Sequence, residues 1–197
     1  LEAFEARHLR TDGLYRTRVG VAGEVLDDTP WVYDQAFALF AFAEAASAGV
    51  DPAVMSARAH RLIQALEALR HPAGGWREAG DQPFQANAHM HLLEAFMAWE
   101  LLEPDGPWTD LADRVVDLCR RHFIDPGAGY IREFYGPDWI PAPGDDGTLI
   151  EPGHQFEWAW LLTRWAIARD QDWAMTAAHS LYAAGVRGVD GRTGVAI

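Results

Sequence analysis

The chain runs to 197 residues with a formal net charge of −13, and all 16 of its basic residues are Arg. Such an anionic surface repels phosphate backbones and anionic lipid, which argues against nucleic acid and membrane as partners, and the absence of Lys excludes Schiff-base chemistry and a covalently held pyridoxal cofactor. A 49% apolar composition with a single Cys describes a globular chain with no internal disulfide, and cytoplasmic localisation is the default expectation.

No apolar run approaches the ~20 residues needed to span a bilayer, and no secretory-type leader is evident. Leu1 reads as lying inside a helix and Ile197 as following a turn signal, so neither end is expected to be a domain boundary. Residues 31–48 and 53–70 are helix-forming stretches without internal Gly or Pro until their ends. Asp51-Pro52 divides them as an N-cap followed by Pro at the first helical position. A second pair, 87–102 and 108–123, is divided by Glu103-Pro-Asp-Gly-Pro107, and a third, 154–169 and 172–184, by Asp170-Gln-Asp. In each pair the first stretch is richer in aromatics and Ala, the second more amphipathic, which predicts inner helices ringed by outer ones.

A short turn motif punctuates the chain: Thr11-Asp-Gly13-Leu-Tyr-Arg16, Pro72-Ala-Gly-Gly75-Trp-Arg77, Pro126-Gly-Ala-Gly129-Tyr-Ile-Arg132 and a weaker Asp190-Gly-Arg-Thr-Gly194-Val. A period of this length suits a helical hairpin plus a structured loop. The long connections at 10–30, 71–86 and 124–153 always precede an inner helix, and 124–153 is the best candidate for a lid or site wall. The expected fold is all-α, a single domain over 1–197 made of three helical hairpins in an open arc.

Two helices carry polar groups along one face. In Asn87-Ala-His89-Met-His91-Leu-Leu-Glu94 the spacing puts Asn87, His91 and Glu94 together, with His89 pointing elsewhere. In Glu151-Pro-Gly-His154-Gln-Phe-Glu157-Trp158, Pro152-Gly153 marks a helix start. The helix dipole there disfavours imidazolium while Glu157, one turn on, favours it, so the pair can hold His154 as a general base. Tyr33 opens the first inner helix as Asn87 and His154 open the others, so the three are expected to converge on one mouth. Metal ligation by the two His-x-x-Glu steps is the weaker reading, since further carboxylate ligands are not evident.

Tyr33-Asp-Gln-Ala-Phe37, Asn87-Ala-His-Met-His-Leu-Leu-Glu-Ala95 and Glu151-Pro-Gly-His-Gln-Phe-Glu-Trp158, in this order, resemble the N-acylglucosamine 2-epimerase family, which includes mannose isomerases and cellobiose 2-epimerases. The resemblance implies an (α/α)6 toroid of alternating inner and outer helices, about half of it present here, with N- and C-terminal hairpins missing. It implies an aldose–ketose isomerase or 2-epimerase acting on mannose- or N-acylglucosamine-type sugars through an enediol(ate), with no cofactor and no metal. Carried onto this chain, His154 is the catalytic acid/base supported by Glu157, while Tyr33, Asn87, His91, Glu94 and Trp158 contact the sugar. A second catalytic His expected in the family's C-terminal third has no match after His179, so the isolated chain is expected to be inactive or nearly so. The partner implied is a small-molecule sugar, with homodimerisation open. The alternatives are an (α/α)-toroid lyase or glycosidase, of which the glycosidase needs two opposed carboxylic acids, and a non-catalytic carbohydrate-binding helical repeat.

Overall fold

The computed structural model describes residues 1–195. A short helix α1 (Glu2–His8) leads into a two-stranded antiparallel ribbon of β1 (Arg18–Val19) and β2 (Val25–Asp27). Three helical hairpins follow: α2 (Val32–Ser47) with α3 (Pro52–Leu66), α4 (Ala86–Leu102) with α5 (Trp108–Leu118), and α6 (Pro152–Arg169) with α7 (Asp172–Arg187). The helices α2, α4 and α6 pack against one another in sequence, and each also packs against the second helix of its own hairpin. The expected arc of inner and outer helices is therefore what the chain forms.

Composition explains the layering. The central inner helix α4 buries ten of its residues, from Ala86 to Trp99, because it is flanked by α2, α5 and α6 at once. The outer helix α5 buries one stripe, Trp108, Leu111, Ala112, Val115, Val116 and Leu118, at the spacing of an amphipathic helix. Helix α3 starts where Asp51 accepts the Val54 N–H at 3.3 Å with Pro52 behind it. Helix α6 likewise begins at Pro152 and ends on Asp170 in the left-handed region, φ 52°.

The recurring turn motif has a common structural purpose. After each outer segment the chain reverses through a glycine at positive φ, at Gly13, Gly75, Gly129 and Gly194, a conformation that favours glycine. In the first three copies the residue one or two places beyond that glycine presents its N–H to a buried side chain in the first turn of the next inner helix. Tyr15 N–H donates to Gln35 Oε1 at 2.7 Å, Trp76 N–H to His89 Nε2 at 2.9 Å, and Ile131 N–H to Gln155 Oε1 at 2.8 Å. The two amides also donate back, Gln35 to the Tyr15 carbonyl and Gln155 to the Ile131 carbonyl, each at 2.8 Å. Gln35, His89 and Gln155 are each the fourth residue after the N-cap, at Trp31, Gln85 and Glu151. These latches pin every loop to the inner helix that follows it.

The connection 124–153 is anchored by a buried tryptophan. Trp139 lies buried against Phe84, His89 and Phe123 and donates its indole N–H to the Gly74 carbonyl at 3.0 Å. Its φ of 56° is a conformation that costs a bulky residue about 1–2 kcal/mol. Burying a ring of that size, worth roughly 2–3 kcal/mol, offsets that cost.

Candidate active site

The N-termini of α2, α4 and α6 lie at the same end of the arc, and side chains at matching positions after each N-cap stand side by side. The sixth position is Phe37, His91 and Glu157 in turn. Phe37 and His91 have ring centroids 4.6 Å apart, and His91 Nε2 lies 4.0 Å from Glu157 Oε2. Tyr33, one turn before Phe37, meets the His91 ring edge-on at 5.1 Å. On the other side of the imidazole, Nδ1 reaches Glu94 Oε2 at 3.2 Å. Tyr33, His91, Glu94 and Glu157 thus form one cluster drawn from three helices.

His154 stands at the third position after the N-cap of α6, and its carboxylate partner is Glu133, at 2.8 Å from Nδ1. Sequence spacing points to Glu157 as the support of His154, but the hydrogen-bond partner is Glu133, and Glu157 acts only through its charge. Glu157 is half exposed and its closest imidazole is that of His91, because residues at equal positions on neighbouring parallel helices face each other across the groove. Glu157 still acts on His154 through its charge. Burial alone would lower the His154 pKa, but the Glu133 hydrogen bond and charge, followed by the charges of Glu157 and Glu151, raise it above the ordinary imidazole value. Because a carboxylate only accepts, Nδ1 carries the proton in the neutral ring and the Nε2 lone pair is left free.

Trp158 is likewise corrected. Expected to contact substrate, it is wholly buried, with Phe123 edge-on to it at 6.1 Å. One residue from Glu157 is a 100° turn around a helix, so a side chain next to a mouth residue points into the core. Asn87 lies one turn before His91 on α4, and its Oδ1 is buried without a hydrogen-bond partner among the described residues. The second oxygen of Glu133, Oε1, is in the same condition. Unpaired buried acceptors of this kind are costly and are met mainly where a hydroxyl or water completes the site.

His89 has no place in the mouth. It is a buried latch residue whose Nδ1 bonds the Gln85 carbonyl at 2.7 Å, and burial holds its pKa down at about 4. Among the described residues no group of three or more His, Cys, Asp or Glu side chains is gathered as a metal cage. A cavity of about 640 Å3 opens beside the mouth, shared by Tyr33, Asp34, Phe37, Phe4 and Tyr15, but it reaches neither His91 nor His154.

Glu133 is the residue that periodicity could not find. It lies in a loop, outside any helical pattern, yet the turn motif held a signal: it falls two residues beyond the latched residue Ile131. The same place holds Thr17 after Tyr15 and Glu78 after Trp76. Thr17 bonds Asp34 at 2.5 Å, and Glu78 accepts the Val32 and Tyr33 N–H groups at 2.5 and 3.0 Å.

The family model for N-acylglucosamine 2-epimerase (GlcNAc 2-epimerase) matches residues 1–197. A mannose-6-phosphate isomerase of Rhizobium meliloti (strain 1021) is 39% identical over 188 residues, covering 92% of this chain and 49% of that protein. A D-mannose isomerase of Thermobifida fusca is 30% identical over 204 residues, covering 93% of this chain and 50% of that protein. The chain thus spans about half the length of the curated relatives it matches. Among solved structures, a D-mannose isomerase superposes with a TM-score of 0.83 at 22% identity, over 99% of this chain and 53% of the other. A cellobiose 2-epimerase from Spirochaeta thermophila DSM 6192 gives 0.83 at 20% identity, over 96% and 52%. At such identities the likeness establishes the fold, that of the (α/α)6 toroid. With a family match over every residue and 39% identity across nearly the whole length, this chain belongs to the N-acylglucosamine 2-epimerase family.

Proposed function

We propose that the protein of which this chain is part is an aldose–ketose isomerase or 2-epimerase for mannose- or N-acylglucosamine-type sugars, with His154 as an acid/base group. The observation that carries this reading is the 2.8 Å contact between His154 Nδ1 and Glu133, which favours a ring protonated at Nδ1 and free at Nε2. A free ring nitrogen held in one orientation is what removal of a proton α to a carbonyl requires. In the opened aldose, His154 takes the proton from C2 and leaves an enediol(ate). Returning a proton to C1 gives the ketose, and returning one to C2 from the opposite face gives the epimer. Tyr33, Asn87 and His91 hold sugar hydroxyls at the mouth, with Glu94 orienting His91, and Glu157 accepts a hydroxyl beside His91. No redox step occurs, so no redox cofactor is called for.

A second acid/base group is needed on the opposite face of the enediol(ate). The resemblance assigns it to a histidine that this chain lacks, so the 197-residue piece alone turns over little or no mannose. A glycosidase reading needs two opposed carboxylic acids, whereas Glu94 and Glu157 both attend one imidazole.

The test is solvent-deuterium exchange at C2 of mannose and N-acylmannosamine in the intact protein, followed by proton NMR. An isomerase or epimerase washes the C2 proton out, and His154→Ala lowers the rate by about 10²-fold or more. Sugar binding without exchange overturns the isomerase reading, and exchange unchanged in His154→Ala overturns the role of His154.

A further inference from the structure

We infer that Glu133 is the positioning residue of the His154 base and that Glu157 serves His91 instead. This rests on the reading of His154 as an acid/base group.

The first support is the bond itself, 2.8 Å from Glu133 Oε2 to His154 Nδ1, with the glutamate side chain 8% exposed and the imidazole partly buried. A carboxylate so placed selects one tautomer and one ring orientation, as the outer partners of active-site histidines commonly do. Glu157, by contrast, makes no hydrogen bond to His154 and is 51% exposed at its side chain.

The second support is how firmly Glu133 is held. Its N–H donates to the Leu149 carbonyl and its own carbonyl accepts the Ala86 N–H, each at 3.1 Å. Two residues on, Tyr135 N–H bonds the Phe84 carbonyl at 2.8 Å and its hydroxyl bonds the Phe123 carbonyl at 3.1 Å. Two residues back, Ile131 is clasped by Gln155. The carboxylate is therefore fixed from three directions: by the segment before α4, by the loop end before α6, and by α6 itself.

The third support comes from the repeats. In each one the side chain two residues beyond the latched residue ties down the opening of an inner helix: Thr17 on Asp34, Glu78 on the Val32 and Tyr33 amides, Glu133 on His154. Asp34 and His154 both sit third after an N-cap, so Thr17–Asp34 and Glu133–His154 are the same contact made with different side chains. A scaffold position has been given a carboxylate where the facing residue is an imidazole.

The charged groups facing His154 are Glu133 from the loop and Glu151 and Glu157 from α6, with Glu94 across the groove beyond His91. The test is nitrogen-15 NMR of the histidine rings in the intact protein, with the His154 signals assigned by their loss in His154→Asn. In the wild type the neutral ring should carry its proton on Nδ1. Glu133→Gln should lower the His154 titration midpoint by about 1 unit or more, and Glu157→Gln by less than half as much. In steady-state kinetics Glu133→Gln should lower kcat at least about tenfold and shift the acid limb of the pH profile, with KM within about twofold. A proton on Nε2 in the wild type overturns the inference without any variant having to fold. A larger midpoint shift in Glu157→Gln than in Glu133→Gln overturns it as well. Both readouts stand apart from the reaction: absent C2 exchange would sink the isomerase reading and leave the pair intact.

Discussion

His89 and Gln155 occupy the same place in successive repeats, yet only one of them can respond to acid. His89 Nε2 accepts the Trp76 N–H, so a proton added there destroys the latch. Burial first, and then the Arg70 charge, hold its pKa at about 4 against the opposing Gln85 hydrogen bond. The unfolded chain takes up the proton near 6.5 and the folded one near 4. Stability is therefore full above about pH 6.5 and falls by up to about 3 kcal/mol as the pH drops towards 4. His89→Gln should keep most of the neutral-pH stability and lose much of this acid dependence, read as urea midpoints at about pH 7 and about pH 4.5. His154 has the opposite sign: its raised pKa adds stability below the unfolded value, which disappears as the pH rises through the folded one. In the sequence the His154 and His91 faces were legible because helical spacing brings i, i+3 and i+4 together. Glu133 was not, since its bond to His154 spans 21 residues and no periodicity reaches from a loop to a helix. Trp158 misled for a related reason: a motif lists neighbours in sequence, while a helix sends them to different sides.

At the level of elements, the glycines of the turn motif divide into two kinds. Gly75 has φ 74°, and a Cβ there would collide with His89 Nε2 and lie 2.7 Å from Leu118 Cδ2. Gly194 has a similar φ of 70°, and a Cβ there meets nothing within 4 Å among the described residues. Gly194→Ala should cost only the backbone term, roughly 1 kcal/mol. Gly75→Ala should cost that plus the latch and the packing of α5, about 3 kcal/mol or more in total. Denaturant unfolding of the two variants side by side checks the difference, and equal losses would mean that the latch contributes nothing. The hairpins were legible because Asp51-Pro52, Glu103–Pro107 and Asp170-Gln-Asp break them where the chain turns. The ribbon of β1 and β2 was not, because two or three residues bonded across a loop leave no pattern behind, and the π turn at Cys119–Phe123 reads as a plain continuation of its helix.

The whole molecule carries 29 acidic against 16 basic residues, and several of the acids crowd one mouth. Surface ion pairs of the kind seen at Arg121–Asp117 or Arg18–Asp27 are worth about 0–1 kcal/mol each and weaken with salt. The surplus of 13 negative charges has no partners to lose, so relief of repulsion wins. Raising NaCl from about 0.02 M to about 0.5 M at neutral pH should raise the thermal midpoint by a few degrees. A midpoint that falls would mean that the ion pairs outweigh the repulsion. The arc was legible from alternating aromatic and amphipathic helices. What the sequence could not display is how much apolar surface the inner helices leave uncovered, with Phe37, Leu101, Trp160 and Ile167 exposed along α2, α4 and α6.

The latch sits fourth after each N-cap, while the third and sixth positions change from repeat to repeat. The third holds Asp34, Ala88 and His154, and the sixth holds Phe37, His91 and Glu157. The residues that pin the loops to the inner helices are thus not the ones that stand at the mouth. The rim behaves like a rack with fixed pegs and exchangeable tools, where a new side chain can be hung at one peg while the frame stays as it was.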